Sequence, residues 1–477
     1  MKSFYWHDYE TWGANPAIDR PSQFAGVRTD EDLNIISDPL VIYCQPPEDI
    51  WPHPEACLVT GITPQQAQKE GLSEQAFIAR IHAQLAQPQT CGVGYNSIRF
   101  DDEVTRYTLF RNFYDPYERE WRNGNSRWDI IDMVRLTFAL RPQGIEWPMV
   151  DERPSFRLEN LTAANGISHQ SAHDAYSDVE ATIALARLIR DKQPELYNYV
   201  LNHKGKQKVA QQFDFHNRKP LLHISSRFSA AHGCAALVVP LAPHPINRNA
   251  AIVYDLSVDP TPLINLDVEA ICERLYTAAV DLPEGVERIP LKLVHFNRSP
   301  VLLTPKMLSE DVAQRLHIDK QQCENNWHKL LQHDLNEKLK QVYSADNFAP
   351  RSDPEQKLYD GFLSDTDKKR SQQLRRASED SLRDTHFIFE DERLNAMVLR
   401  YKARNFSHLL SAEEREEWQE FVRHRLVNGD DGCLDAAAFI TRVRELMAEH
   451  QGDGQKLAVL ASLEGYHQQK MAGLQAF

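Results

Sequence analysis

An α/β fold with a central sheet is the class that residues 1–190 of this 477-residue chain predict. Three observations point to it. Short β-prone runs alternate with stretches of helical periodicity over those residues. The alternation gives way near 195 to a β-rich segment, and beyond 350 the chain is charged, helix-favouring and without strand signal. A length prior gives roughly two to four domains, since the chain is too long for one core. The composition shifts divide it into 1–190, 195–347 and 350–477.

Phe4 to Tyr9 is aromatic and β-prone, and Leu40 to Cys44 reads as a second strand. Ser73 to Ala86 reads as a helix, with Ser73 as N-cap and Phe77, Ile78, Ile81 and Leu85 on one face. Cys91-Gly92-Val93-Gly94-Tyr95 is a buried-strand pattern feeding a loop, and Asp102 to Phe113 follows as a helix. Ser171 to Arg190 is a strong helix whose apolar stripe is Val179, Ile183, Ala186 and Ile189. In the second segment Leu221 to Ile224, Ala250 to Tyr254 and Leu291 to Phe296 are strand-like. Asp346 to Pro354 is a turn-rich linker.

Hydrophobic residues make up 42% and charged residues 26%, as in soluble globular proteins. The start, Met1-Lys2-Ser3-Phe4, shows no apolar signal core, and no run is long enough to span a bilayer. Seven scattered cysteines without a Cys-x-x-Cys pair read as free thiols in a reducing compartment, so a cytoplasmic location is expected. The net charge of −14 runs against a nucleic-acid partner, but its distribution matters more than its sum. Lys204, Lys206, Lys208, Arg218, Lys219, Arg227 and Arg248 are opposed between 202 and 248 only by Asp214. That run fits either a polyanion site or a solvated positive face.

Asp8 and Glu10 are two apart on a predicted strand, which puts both side chains on one face. Two such charges repel unless a cation lies between them. Asp101 follows Gly94-Tyr95-Asn96-Ser97-Ile98-Arg99-Phe100 at a strand–loop–helix junction, where an N-cap is the commoner role for Asp. His173 and Asp178 lie at the start of the last helix of the segment. Each pattern alone is common by chance. Together, four carboxylates and a histidine can converge on two divalent cations that assist an in-line phosphoryl displacement. All-oxygen ligands favour Mg²⁺, with Mn²⁺ able to substitute, and a neutral His173 can take a proton from water.

The order Asp8-x-Glu10, Asn96-x-x-x-Phe100-Asp101, His173-x₄-Asp178 resembles the DEDDh exonucleases, which have a ribonuclease H-like fold. His7-Asp8-Tyr9-Glu10-Thr11, Thr60-Gly61-Ile62-Thr63-Pro64-Gln65 and Arg99-Phe100-Asp101-Asp102-Glu103 are similar to the bacterial exonuclease I family. So are Pro154-Ser155-Phe156-Arg157-Leu158-Glu159, Leu358-Tyr359-Asp360-Gly361-Phe362 and Tyr401-Lys402-Ala403-Arg404-Asn405-Phe406, and the resemblance spans essentially the whole chain. It implies an exonuclease domain, an SH3-like domain and a helical C-terminal domain, with processive 3′→5′ release of 5′-mononucleotides from single-stranded DNA. In that family Asp8, Glu10 and Asp178 would hold the metals, Asp101 would complete the acidic set, and His173 would be the general base. Arg157 would meet the DNA near the scissile phosphate.

Single strands are usually gripped by a basic groove and stacking aromatic faces. The stretch Arg99 to Arg141 interleaves the two, a pattern that equally suits core aromatics beside surface ion pairs. By resemblance, the DNA path is lined by Arg106, Tyr117, Trp121 and Arg135, then by Tyr199, Lys206, Asn249, Lys292 and Asn297, and then by Tyr359 and Phe362. Thr60, Gly61 and Ile62 would lie beside the terminal nucleotide, or form a plain turn before a helix at Pro64. The family also implies docking of the acidic tail of single-stranded DNA-binding protein. Arg141 and Lys219 match that basic surface, whereas Ser309 and Leu331 stand where arginines are expected. A monomer is expected, with no membrane association.

Other readings are a DEDDh enzyme acting on RNA ends, a polymerase proofreading subunit, and a non-catalytic DNA-binding protein that kept the fold. The first two need only the first domain. The third fits poorly with five intact site residues.

Overall fold

β1 (Ser3–Thr11) is buried at every residue except Asp8, which is partly exposed. A strand apolar on both faces belongs in the middle of a sheet. In the computed structural model, which describes residues 2–169, 174–344 and 351–475, β1 is central to five strands. With β2 (Pro21–Thr29), β3 (Leu40–Tyr43), β4 (Thr90–Gly94) and β5 (Ser126–Asp129) the spatial order is β3-β2-β1-β4-β5. β1 runs antiparallel to β2 and parallel to β4. Glu10 faces Gln23, but Thr11 faces Pro21, so the register slips by one residue directly beside Glu10. Gly26 permits this pairing, because a Cβ there would fall 2.7 Å from the Tyr5 ring.

Three helices place the site. Glu74–Leu85 is capped by Ser73, whose side chain accepts from the Ala76 N–H, and buries the four predicted apolar residues. Asp101–Arg111 follows β4. Ala175–Lys192 buries Val179, Ile183, Ala186 and Ile189 as its periodicity predicts, and Asp174 caps it through the Ser177 N–H at 3.2 Å. The first residues expected in that helix, 171–173, lie outside the described residues.

A short hairpin, β6 (Met149–Val150) with β7 (Arg153–Pro154), precedes a second sheet. That sheet contains β8 (Leu221–Ile224), β9 (Ala235–Pro243), β10 (Ala250–Asp255), β11 (Leu291–His295) and β12 (Val301–Leu303). Its order is β11-β10-β9-β8-β12 with antiparallel neighbours throughout, closed over Val209, Val238, Val253 and Val294. Residues 351–475 contain helices and no strand.

Two compact units cut across this order. One comprises Met1–Arg127, His169–Thr182 and Pro350–Phe477; the other comprises Trp128–Ser168 and Ile183–Ala349. In the first, Trp51 stacks on Phe439 with centroids 4.8 Å apart, in a core shared with Trp12, Trp418 and Leu460. A buried ion cluster sits beside that core. Asp49 accepts from Arg404 at 2.8 Å and Arg425 at 3.0 Å, and Glu355 from Arg20 at 2.7 Å and Arg404 at 2.5 Å. Burial alone would raise both carboxyls, but the guanidiniums overcome it and hold them well below the usual carboxylate range. The seven cysteines are free, and among the described residues no helix is long and apolar enough to cross a membrane.

Candidate active site

Period-2 geometry puts Asp8 and Glu10 on the same face of β1, and the first turn of Ala175–Lys192 brings Asp178 to them. One carboxylate oxygen from each of the three lies within 4.8 Å of the others. Asp101 joins the set from the start of Asp101–Arg111. The N-cap alternative for it does not hold: Phe100 occupies that position, and Asp101 Oδ1 instead accepts from the Tyr9 N–H at 3.0 Å. Tyr9 OH and Asp101 C=O both lie within hydrogen-bonding distance of Thr105 Oγ1, at 3.0 and 2.8 Å.

Burial and mutual repulsion dominate the electrostatics. Burial first, then Asp178, Asp101 and Asp174, push the Glu10 carboxyl up to about 9. Burial, with Asp101 and Glu10 next, raises Asp8 well above its ordinary value. Acids so placed hold protons near neutral pH unless a cation balances them. The donor set is all oxygen, which suits Mg²⁺ or Mn²⁺, so the residues present fit a divalent metal.

Three neighbours escaped the sequence reading. Gln23, opposite Glu10, donates through Nε2 to Asp174 Oδ1 at 3.2 Å and accepts from the Ala175 N–H at 3.2 Å. It thereby clamps the start of the helix that carries Asp178. Asp174 adds a further negative charge to Asp8 and Glu10. His169 Nε2 pairs with Asp178 Oδ1 at 2.5 Å. No signal marked Gln23, since β2 was not expected, whereas His169 and Asp174 could have been noticed flanking His173. His173 itself lies outside the described residues.

The interleaved Arg–aromatic stretch turns out to serve two purposes. Arg119 and Arg127 pair with Asp102 at 2.5 and 2.8 Å, and Arg106 pairs with Glu120 and Glu103 at 2.7 and 2.8 Å. These guanidiniums are buried, not the surface pairs expected, and Tyr107, Phe113 and Trp128 are core. Trp121 of the same stretch faces outward, as does Phe362 far beyond it. Trp121 is 64% exposed and Phe362 86% exposed, and Tyr117 lies 5.7 Å from Phe362 and 6.5 Å from Tyr359. Arg106 Nη1 donates to Tyr359 OH at 3.0 Å. Gly61 (φ 71°) ends the helix Pro54–Thr60 with open space where a Cβ would point, and Ile62 is buried.

In the second unit, Arg157 is exposed just ahead of Leu158–Ala164, and Arg135 pairs with Asp132 at 2.6 Å. Tyr199 OH donates to the Leu302 carbonyl at 2.8 Å while its ring stacks on His203. Lys206 is exposed at the first turn of Lys206–Ala210, and Asn249 is the last residue of the β9–β10 turn. Lys292 Nζ meets His223 Nε2 at 2.6 Å, and Asn297 is exposed in the turn Phe296–Arg298. Arg218 departs from the open basic face, because its Nη1 donates to the Leu330 and His333 carbonyls. Arg141, Leu136, Leu140, Tyr199, Leu303 and Met307 line a cavity of about 460 Å³. Lys219 pairs with Asp214 at 3.1 Å, Ser309 caps Glu310–Arg315, and Leu331 is exposed.

A mixed sheet whose central strand carries two acids, met by further acids from two helix starts, defines an exonuclease of the ribonuclease H-like class. Residues 5–186 match the family model described as Exonuclease, 204–345 that of the Exonuclease I SH3-like domain, and 352–470 that of the Exonuclease I C-terminal domain. Exodeoxyribonuclease I of Haemophilus influenzae is 44% identical over 468 residues, covering 97% of this chain and 98% of that protein. Among solved structures, an Exonuclease I from Methylocaldum szegediense is 48% identical with a TM-score of 0.94, covering 98% of this chain and 100% of that one. Escherichia coli Exonuclease I in complex with a dA16 oligonucleotide is 42% identical with a TM-score of 0.95, at the same coverage. A zinc ion bound form of the E. coli enzyme with single-stranded DNA, and SSB/Exonuclease I with the inhibitor CFAM, are also similar. The chain belongs to the exodeoxyribonuclease I family.

Proposed function

We propose that the chain is a processive 3′→5′ exonuclease that degrades single-stranded DNA to 5′-mononucleotides in DNA repair and recombination. The observation that carries this reading is the Asp8–Glu10–Asp178 cluster with Asp101 beside it, in a chain related over its full length to exodeoxyribonuclease I. Two Mg²⁺ ions, or Mn²⁺ in their place, would supply charge stabilisation for an in-line displacement at phosphorus. Asp8, Glu10, Asp101 and Asp178 hold that charge in this reading, and Asp101 also fixes the backbone between the first two through Tyr9. His173 takes the proton of the attacking water. Arg157 presents a guanidinium fork to the phosphate near the cut.

The same reading divides the chain into an exonuclease domain at 1–190, an SH3-like DNA-binding domain at 195–347 and a helical domain at 350–477. Tyr117, Trp121, Tyr359 and Phe362 offer ring faces to bases, and their exposure supports that role for Trp121 and Phe362. Arg106 orients Tyr359 from within its ion pairs. Arg135, Tyr199, Lys206, Asn249, Lys292 and Asn297 continue the path. The acidic tail of single-stranded DNA-binding protein docks at Arg141, whose adjoining cavity accepts an apolar side chain. The enzyme acts as a cytoplasmic monomer.

The deciding experiment is digestion of 5′-labelled and 3′-labelled single strands, with duplex and RNA controls, in Mg²⁺ and in EDTA. Metal-dependent loss of the 3′ label as mononucleotide, with duplex and RNA spared, is expected. Preference for RNA would favour an RNA-end trimming enzyme, and binding without cleavage a DNA-binding module.

A further inference from the structure

A second cavity, of about 790 Å³, opens within the first unit, away from the carboxylate cluster. The helix Ala412–Asn428 lines it with Arg415, Trp418, Gln419, Val422, Arg423 and Leu426, a single stripe at helical spacing. That helix also carries Glu413, Glu414, Glu416, Glu417 and Glu420, yet none of them lines the cavity. Charge is therefore segregated around one helix, with cations and apolar groups toward the cavity and acids elsewhere. Lys69 from Pro64–Glu70 and Lys470 from Gly454–Gln475 add to the same side.

Arg415, Arg423 and Lys69 make no ion pair or side-chain hydrogen bond among the described residues. The one carboxylate of the lining, Glu48, accepts from Trp418 Nε1 at 3.3 Å. The walls are built in advance. Lys470 Nζ donates to the Pro47 and Glu48 carbonyls at 3.1 and 3.0 Å and lies over the Trp51 and Tyr466 rings. Gln65 and Ser462 exchange two hydrogen bonds of 2.7 Å across the neighbouring helices.

We propose that this cavity docks an acidic peptide, with an apolar side chain against Trp418, Val422 and Leu426 and carboxylates on Arg415, Arg423 and Lys69. In a chain of net charge −14, unpaired cations around an apolar recess draw an acidic ligand to one place that the rest of the surface repels. An apolar centre with a charged rim is the anatomy of a peptide site, whereas a nucleic-acid strand needs a continuous basic track.

The test uses the full-length protein and a short fluorescein-labelled acidic peptide, acetylated and amidated, with one central phenylalanine. Anisotropy should show saturable binding that weakens roughly tenfold or more in R415E/R423E, and again when the peptide's phenylalanine is replaced by alanine. Both arginines are exposed, so the double variant should fold and keep its nuclease rate. Arg141→Ala should leave this binding unchanged, which separates the cavity from the docking surface assigned above. Absence of binding, or equal binding by R415E/R423E, overturns the proposal. Reduced oligonucleotide affinity in R415E/R423E, with the oligonucleotide displacing the peptide, would give these cations to nucleic acid and overturn it too.

Discussion

Asp101 Oδ1 accepts the backbone N–H of Tyr9 at 3.0 Å, and Tyr9 is the residue between Asp8 and Glu10. The start of one helix is thus tied to the strand at the point where both acids leave it. Both partners are buried, so the contact has no water to replace it.

Charge and tether at Asp101 can be separated. Asp101→Ala removes the acceptor and should cost about 1–3 kcal/mol as well as cleavage. Asp101→Asn keeps an acceptor of the same shape, so it should retain stability in urea unfolding while losing most nucleotide release. An Asn variant cutting at the wild-type rate would show that only the tether matters.

The metal-free site should be a pH-dependent burden. Glu10 titrates near 9 in the folded chain against 4.5 ordinarily, so its contribution to stability is fully present below about 4.5 and lost as pH rises toward 9. In EDTA at pH 8, Glu10→Gln should therefore raise Tm, by about 2–4 °C for each kcal/mol of strain relieved. Added Mg²⁺ should raise the wild-type Tm and act less on the variant. Equal Tm values in EDTA would mean that the carboxylates are not in conflict.

The cluster around Asp49 and Glu355 behaves oppositely. Both carboxyls are held below their ordinary range, so their stabilisation is fully present above about pH 4 and is lost progressively as pH falls from there toward their lowered folded-state values. Asp49→Ala leaves Arg404 and Arg425 buried without it and should cost about 3–5 kcal/mol at pH 7. Guanidinium unfolding from pH 7 to pH 3 should show a steep acid limb in the wild type and a flatter one in the variant.

Phe362→Ala and Trp121→Ala should weaken oligonucleotide binding by about 1–3 kcal/mol for each base stacked, with little change in Tm, because both rings are exposed. Arg106→Ala should instead lower Tm, since it removes a buried guanidinium that pairs with the partly buried Glu120 and Glu103, leaving Glu120 to Arg127 alone at close range. Unchanged affinity in both ring variants would remove them from the path.

Elements with a clear period were legible from sequence. Ser73 as a cap, the stripe Phe77-Ile78-Ile81-Leu85 and the facing of Asp8 with Glu10 follow from local geometry alone. β2 was not legible, because Pro21, Ser22, Gln23 and Gly26 are poor strand formers and all of it is buried by tertiary pairing. β9 is apolar on both faces, so its run has no period to read. The same limit hid Gln23, whose position opposite Glu10 exists only once β2 is paired. Nor could composition separate Arg106, Arg119 and Arg127 from a basic groove, since burial of an arginine depends on which carboxylate the fold brings to it.

The Asp49–Arg404 pair joins residues 355 positions apart in the chain. A ribosome adding about 5–20 residues per second needs roughly 20–70 s to travel between them. Over that interval the nascent amino-terminal segment has the acid but not the guanidinium, and Trp51 has no Phe439 to stack upon. The segment around Asp49 and Trp51 completes its packing only when the last helices emerge. A product that ends before Arg404 would keep that acid and that indole with neither counter-ion nor stacking partner, a mark by which an incomplete copy differs from a finished one.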